Sequence, residues 1–137
     1  MRAIIPVAGH GTRLEPHPLT LQKCLLPVAG KPVLEHILDR ITNAGITDVT
    51  LITGHLGEQV VEFCTSYPNA NFTFVEQKER LGLGHAIYQG LESVKDPLLI
   101  VLGDSILNLI IIDSFQVPIL PLELRLFLIQ NVLVLWN

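Results

Sequence analysis

Two glycines, an arginine and a lysine follow the first apolar segment of the chain at a spacing suited to a polyphosphate. Residues 2–7, RAIIPV, predict a short buried strand, and Gly9 and Gly11 come directly after it. Because glycine has no Cβ, the backbone here can approach a ligand closely, and free N–H groups in such a turn can bind an anion. Arg13 adds a planar set of donors for phosphate oxygens, and Lys23 adds a compact positive charge. The segment therefore predicts a loop that wraps a triphosphate.

Two better-known phosphate motifs do not fit this loop. A Walker loop needs four residues between its glycines and then Gly-Lys-Ser/Thr, whereas one residue separates Gly9 from Gly11. A dinucleotide fingerprint needs a third small residue where Leu14 stands, followed at once by a helix. Pro16 and Pro18 disfavour that helix.

A carboxylate is predicted at the end of a central strand. Residues 97–102, PLLIVL, form a continuous apolar run typical of a buried parallel strand, and Asp104 follows it after one glycine. In open α/β sheets, ligands bind at the carboxyl ends of the strands. A carboxylate oxygen there is a natural ligand for Mg²⁺.

The remaining pattern alternates strands with amphipathic helices. Further strands are predicted at 48–53 and 72–76, and helices at 33–41, 57–66 and 83–94. In the second helix, Val60, Val61, Phe63 and Cys64 are predicted to face inward. The order βαβαβαβ implies parallel strands joined by right-handed crossovers. We therefore expect a doubly wound, mostly parallel α/β sheet with Rossmann-like nucleotide-binding topology.

The opening segment resembles the signature of the sugar-1-phosphate nucleotidylyltransferases. The matching text is AGHGTRLEP at 8–16, Thr20, and QKCLLPVAGKP at 22–32. Gln22 stands where the family usually has proline before the lysine. Downstream, QKERLGLGHA at 77–86 resembles the segment with which the family reads the base. His85 within it is interpreted as structural, because it lies on a helix of aliphatic spacing.

The resemblance implies that a nucleoside triphosphate and a sugar 1-phosphate react to give a nucleotide sugar and pyrophosphate. It implies that Arg13 holds the β- and γ-phosphates, that Lys23 bridges the α-phosphate and the sugar phosphate, and that Asp104 holds Mg²⁺. It also implies a nucleotide pocket shaped by Ala8, Gly9, Gly11, Thr12, Gln77 and Gly82. UTP or dTTP with glucose 1-phosphate is favoured, because residues 82–86, GLGHA, look like those of the uridylyltransferases that make UDP-glucose. By the same resemblance, Gln77 hydrogen-bonds the base, and its amide can satisfy a uracil or thymine imide. Guanylyl- and cytidylyltransferases of the same fold stay open as alternatives.

Composition narrows the classes of partner. The chain has 137 residues and a net charge of −4, which argues against nucleic acid as a partner. Cys24 and Cys64 have no metal-ligand spacing and are expected to be free thiols in a reducing compartment. With no signal peptide pattern at the start, we expect a cytoplasmic protein.

The last quarter of the chain does not fit this pattern. Residues 1–105 are predicted to form the nucleotide-binding core, and the apolar remainder, 106–137, is interpreted as truncated or out-of-frame sequence. A membrane helix is disfavoured, because the longest uncharged run, 126–137, has 12 residues against about 20 needed. The tail could instead support a homo-oligomer. If the sugar-binding half is absent, a catalytically dead nucleotide-binding remnant is the alternative function.

Overall fold

A six-stranded sheet with helices on both faces forms the body of the protein. The computed structural model describes residues 1–9, 20–79, 81–91 and 98–104, and the backbone of two strands at 125–129 and 132–136. The strands are β1 (Arg2–Pro6), β2 (Pro27–Val28), β3 (Lys31–Pro32), β4 (Asp48–Thr53), β5 (Asn71–Glu76), β6 (Leu98–Val101), β7 (Arg125–Ile129) and β8 (Val132–Trp136). The helices are α1 (Val33–Asn43), α2 (Gly57–Thr65) and α3 (Leu83–Gly90), and a 3-10 turn spans Lys23–Leu25.

The large sheet has the strand order β5-β4-β1-β6-β8-β7. Strand β1 pairs in parallel with both β4 and β6, and β4 pairs in parallel with β5. Strand β8 pairs antiparallel with β6 and with β7. The short strands β2 and β3 form a separate antiparallel hairpin before α1. The predicted doubly wound, mostly parallel α/β sheet is confirmed.

Alternating side chains of β1 build two cores, one on each face of the sheet. Ile5 belongs to the larger core, which also contains the buried side chains of α1 and α2. Ile4 belongs to the smaller core, where α3 contributes Ala86. This period-2 alternation is what a strand covered on both faces requires. It places α1 and α2 on one face and α3 on the other.

The predicted helix spacing was right for α1 and partly wrong for α2. Leu34, Ile37 and Ile41 of α1 are completely buried, as their i, i+3, i+7 spacing predicts. In α2, Val60 is buried, but Val61 is 37% exposed. Its predicted inward position was wrong, because neighbouring positions on a helix point about 100° apart.

The second half of the apolar tail contributes backbone to the sheet. Strands β7 and β8 form a hairpin, and β8 covers the edge of β6. The assignment of 106–137 as truncated or out-of-frame sequence stays a prediction. No helix among the described residues is both long and apolar enough to cross a bilayer.

Candidate functional site

A cavity of about 540 Å³ opens at the carboxyl ends of β1 and β6. Its position follows from the topology, because the two parallel strands end side by side at the centre of the sheet. Its wall is formed by Pro6, Val7, Ala8, Gly9, Gln22, Lys23, Cys24, Gln77, Gly82, Leu83, Ala86, Leu102, Gly103 and Asp104. The six predicted site residues that the structure describes all lie in this wall.

Lys23 and Asp104 meet in the cavity although 81 positions separate them in the chain. The Lys23 ammonium donates to Asp104 Oδ2 at 2.7 Å, and the two side chains are 38% and 47% exposed. The 3-10 turn carries the lysine, and the end of β6 carries the aspartate. At this exposure the pair adds little stability. Both groups are therefore available to a charged ligand.

Ala8 and Gly9 form the edge of the cavity directly after β1. A Cβ built on Gly9 would meet no described atom within 4 Å, so packing within the described protein does not require glycine there. Gly11, Thr12 and Arg13 lie outside the described residues, and their predicted roles stay predictions.

Gln77 lies beyond the end of β5, and its side chain is oriented by two partners. Its Nε2 donates to the Gly82 carbonyl at 3.1 Å and contacts His85 Nδ1 at 3.3 Å. A carbonyl oxygen can only accept, so the amide nitrogen must face it and Nδ1 must be the acceptor. The Oε1 atom makes no hydrogen bond to the described residues and is left as an acceptor. Gly82 has φ +97, a left-handed value that favours glycine.

Gln22 is a site residue whose role the sequence did not reveal. Its side chain is 3% exposed, and it donates to the Val7 carbonyl and accepts from the Cys24 amide at 2.8 Å. It thus joins the turn that carries Lys23 to the end of β1. The one sign of this role in the sequence was that glutamine stands where the family pattern has proline.

Cys24 is a neutral thiol in the cavity wall. Burial, reinforced by the neighbouring Cys64, raises the pKa of the Cys24 thiol to about 12. A nucleophilic cysteine needs a lowered pKa, because the thiolate is the reactive form. The cavity therefore offers charge and hydrogen bonding but no activated cysteine.

The donor set of the cavity fits a magnesium ion that is shared with a ligand. Mg²⁺ is commonly held by one or two carboxylates together with substrate phosphates. Asp104 supplies one such carboxylate at the cavity wall. The described part of the chain contains no cluster of three or more His, Cys, Asp or Glu side chains that could enclose a metal alone.

Comparison with known proteins gives consistent matches. A family model described as "MobA-like NTP transferase domain" matches residues 3–112. The bifunctional protein GlmU of Methanococcus maripaludis is 38% identical over 106 residues, 77% of this chain and 25% of that protein. UTP--glucose-1-phosphate uridylyltransferase 2 of Staphylococcus saprophyticus is 34% identical over 133 residues, covering 78% of this chain and 45% of that protein. The chain thus spans less than half the length of either relative.

A solved structure also superposes on the chain. UDP-glucose pyrophosphorylase complexed with UDP-glucose matches with a TM-score of 0.65 and 27% identity. The superposition covers 75% of this chain and 45% of that one. The common part is therefore again a minority of the larger protein.

Proposed function

The chain belongs to the MobA-like NTP transferase family, and from that premise we propose that it binds UTP or dTTP and transfers the nucleotidyl group to glucose 1-phosphate. A phosphate oxygen of the sugar phosphate attacks the α-phosphorus, and the bond from that phosphorus to the pyrophosphate oxygen breaks. The products are a nucleotide sugar and pyrophosphate. The resemblance to the sugar-phosphate nucleotidyltransferases, predicted from the opening motif, is confirmed by this family match and by the relatives.

The observation that carries the proposal is one cavity whose wall contains both charged groups and an oriented neutral amide. Lys23 and Asp104 supply charge at one part of its wall, and Gln77 supplies an oriented amide at another. A nucleoside triphosphate has the same division between a charged phosphate chain and a neutral base. About 540 Å³ is also within the usual range for a small-molecule pocket.

The proposed mechanism assigns separate tasks to Lys23, Asp104 and Arg13. Lys23 stabilises charge on the α-phosphate and the incoming sugar phosphate. Asp104 holds Mg²⁺, which neutralises the triphosphate when it is bound. Because Lys23 and Asp104 form an ion pair in the structure, a bound triphosphate would take the Lys23 ammonium from that contact, and Asp104 would be the group to hold Mg²⁺. Arg13 is proposed to hold the β- and γ-phosphates.

The function is tested by titration and by a turnover assay on the same protein. We expect UTP or dTTP, with Mg²⁺, to bind more tightly than GTP or CTP in calorimetry. We also expect pyrophosphate release that requires glucose 1-phosphate and stops when EDTA removes the metal. Binding without release would favour the nucleotide-binding remnant, and absence of triphosphate binding would overturn the proposal.

His85 is predicted to act on base selectivity through Gln77. In the proposed complex, Gln77 Oε1 accepts a hydrogen bond from the N3–H group of uracil or thymine. Cytosine has an acceptor at N3 instead, so it cannot form this hydrogen bond. With His85→Ala, the amide loses one of its two partners, and we expect the UTP-to-CTP affinity ratio to fall by roughly tenfold, the worth of one lost hydrogen-bond constraint. The measurement is competitive titration of the two nucleotides.

The matched control for this variant is His36→Ala. The His36 Nε2 atom lies 2.7 Å from the Val28 carbonyl, and this contact is not in the cavity wall. Its removal should leave the UTP-to-CTP ratio unchanged. Equal changes in both variants, or an unchanged ratio in His85→Ala, would show that His85 does not orient the amide.

A further inference from the structure

Gln22 forms the centre of a hydrogen-bond network that joins Val7, Gly9 and Thr20, on either side of residues 10–19. Its Nε2 donates to the Val7 carbonyl and, at 3.4 Å, to the Gly9 carbonyl, on the chain just before the segment. Its backbone N–H donates to Gln59 Oε1 at 2.8 Å, and Gln59 Nε2 donates to the Thr20 carbonyl, just after it, at 2.8 Å. The two glutamines thus fasten the chain on both sides of the segment that contains Arg13.

The same side chain also begins the turn that carries Lys23. Gln22 Oε1 accepts from the Cys24 N–H, which caps the 3-10 turn, and the Gln22 carbonyl accepts from Leu25 N at 2.8 Å. Both side-chain N–H groups and the side-chain oxygen of Gln22 therefore have partners. A buried amide satisfied in this way fixes geometry, because any shift leaves a polar group without a partner.

The backbone at Gln22 explains how glutamine can replace proline. Its φ is −61°, which is the value that a proline ring imposes. A proline would set this angle covalently, but it has no N–H for Gln59 and no side-chain amide for Val7. In this chain hydrogen bonds to Val7, which directly follows β1, and to Gln59 of α2 supply the constraint instead.

We propose that Gln22, together with Gln59, is a positioning residue pair that holds Lys23 and the chain at Gly9 and Thr20 in place for the phosphates. The inference rests on the proposed function, since it assigns the network to triphosphate binding. Gln22 acts through Lys23 and through the backbone. It is not assigned a contact with the reacting atoms.

The test is Gln22→Met, which keeps the length of the side chain and removes its hydrogen bonds. We expect affinity for UTP to fall about tenfold, as for the loss of one or two buried hydrogen bonds, and affinity for uridine to change less than about twofold. Uridine lacks phosphates, so a general loss of structure would weaken both ligands equally. Equal loss for UTP and uridine would therefore overturn the proposal.

A double-mutant cycle with Lys23→Met tests whether Gln22 affects UTP binding through Lys23 or independently of it. In the Lys23→Met background, Gln22→Met should weaken UTP binding by much less than in the wild type. Full additivity would overturn the proposal. Gln22→Pro should recover part of the UTP affinity lost in Gln22→Met, because the ring restores φ. A larger loss in Gln22→Pro than in Gln22→Met would count against the geometric account.

Hydrogen exchange without nucleotide tests the network even if UTP does not bind. In Gln22→Met, the amide of Cys24 should exchange faster, whereas amides of β4 should not change. Unchanged exchange at Cys24 would refute the network itself. Faster exchange at Cys24 in Gln22→Met, together with a wild-type protein that does not bind UTP, would instead refute the proposed function and, with it, the assignment of the network to phosphates.

Discussion

Lys23→Met should reduce the kcat/KM of nucleotidyl transfer by about 100-fold or more, the usual loss when a charged group that stabilises the transition state is removed. Lys23 lies in the cavity and contacts Asp104, so its ammonium is placed beside the carboxylate proposed to hold Mg²⁺. Methionine keeps much of the length of the side chain but has no charge. The measurement is pyrophosphate release with UTP and glucose 1-phosphate, together with calorimetric titration of UTP.

Lys31→Met is a matched control, because the two lysines have similar exposure. Lys31 side-chain exposure is 36%, and it pairs with Asp39 of α1 outside the cavity wall. The hydrogen bond from Lys31 holds the pKa of Asp39 below its ordinary value. Losing this pair should affect stability slightly and UTP binding not at all. If both variants bound UTP equally well, the phosphate role of Lys23 would be wrong.

The sequence predicted the sheet well because its signals are local. The continuous apolar run of β6 and the helical spacing of α1 each lie within one short window, and burial in the structure follows them. The place of Asp104 at the edge of the sheet followed from a topological rule, since parallel strands present their carboxyl ends at one edge, but its contact with Lys23 was not predicted. No statement about their ion pair was possible without coordinates.

The role of Gln22 could not be predicted because it depends on partners far along the chain. Val7 lies 15 positions before it, and Gln59 lies 37 positions after it. The sequence showed only a glutamine where the family usually has proline. Replacing proline by glutamine removes the ring that fixes φ at this position. The structure shows the hydrogen bonds that hold this angle instead.

A glycine that packs against β1 connects the stability of the sheet to the cavity. A Cβ at Gly103 would lie 2.5 Å from Val7 Cγ1 and 2.8 Å from the Pro6 carbonyl oxygen. The Pro6 carbonyl oxygen belongs to the backbone of β1, so it cannot move aside without shifting the strand. Gly103 also precedes Asp104, and any displacement of this backbone carries the carboxylate with it.

Gly103→Ala should therefore lower the free energy of unfolding by about 1–3 kcal/mol, the usual cost of adding atoms to a packed interior. It should also weaken binding of Mg²⁺–UTP, because Asp104 is displaced from its place opposite Lys23. Urea unfolding and UTP titration measure the two effects. Gly84→Ala is the control, because a Cβ built there meets no described atom outside its own helix within 4 Å. Its place in α3 makes alanine favourable by up to about 1 kcal/mol. Destabilisation of both variants to the same extent would mean that loss of glycine, rather than the contact with β1, is responsible.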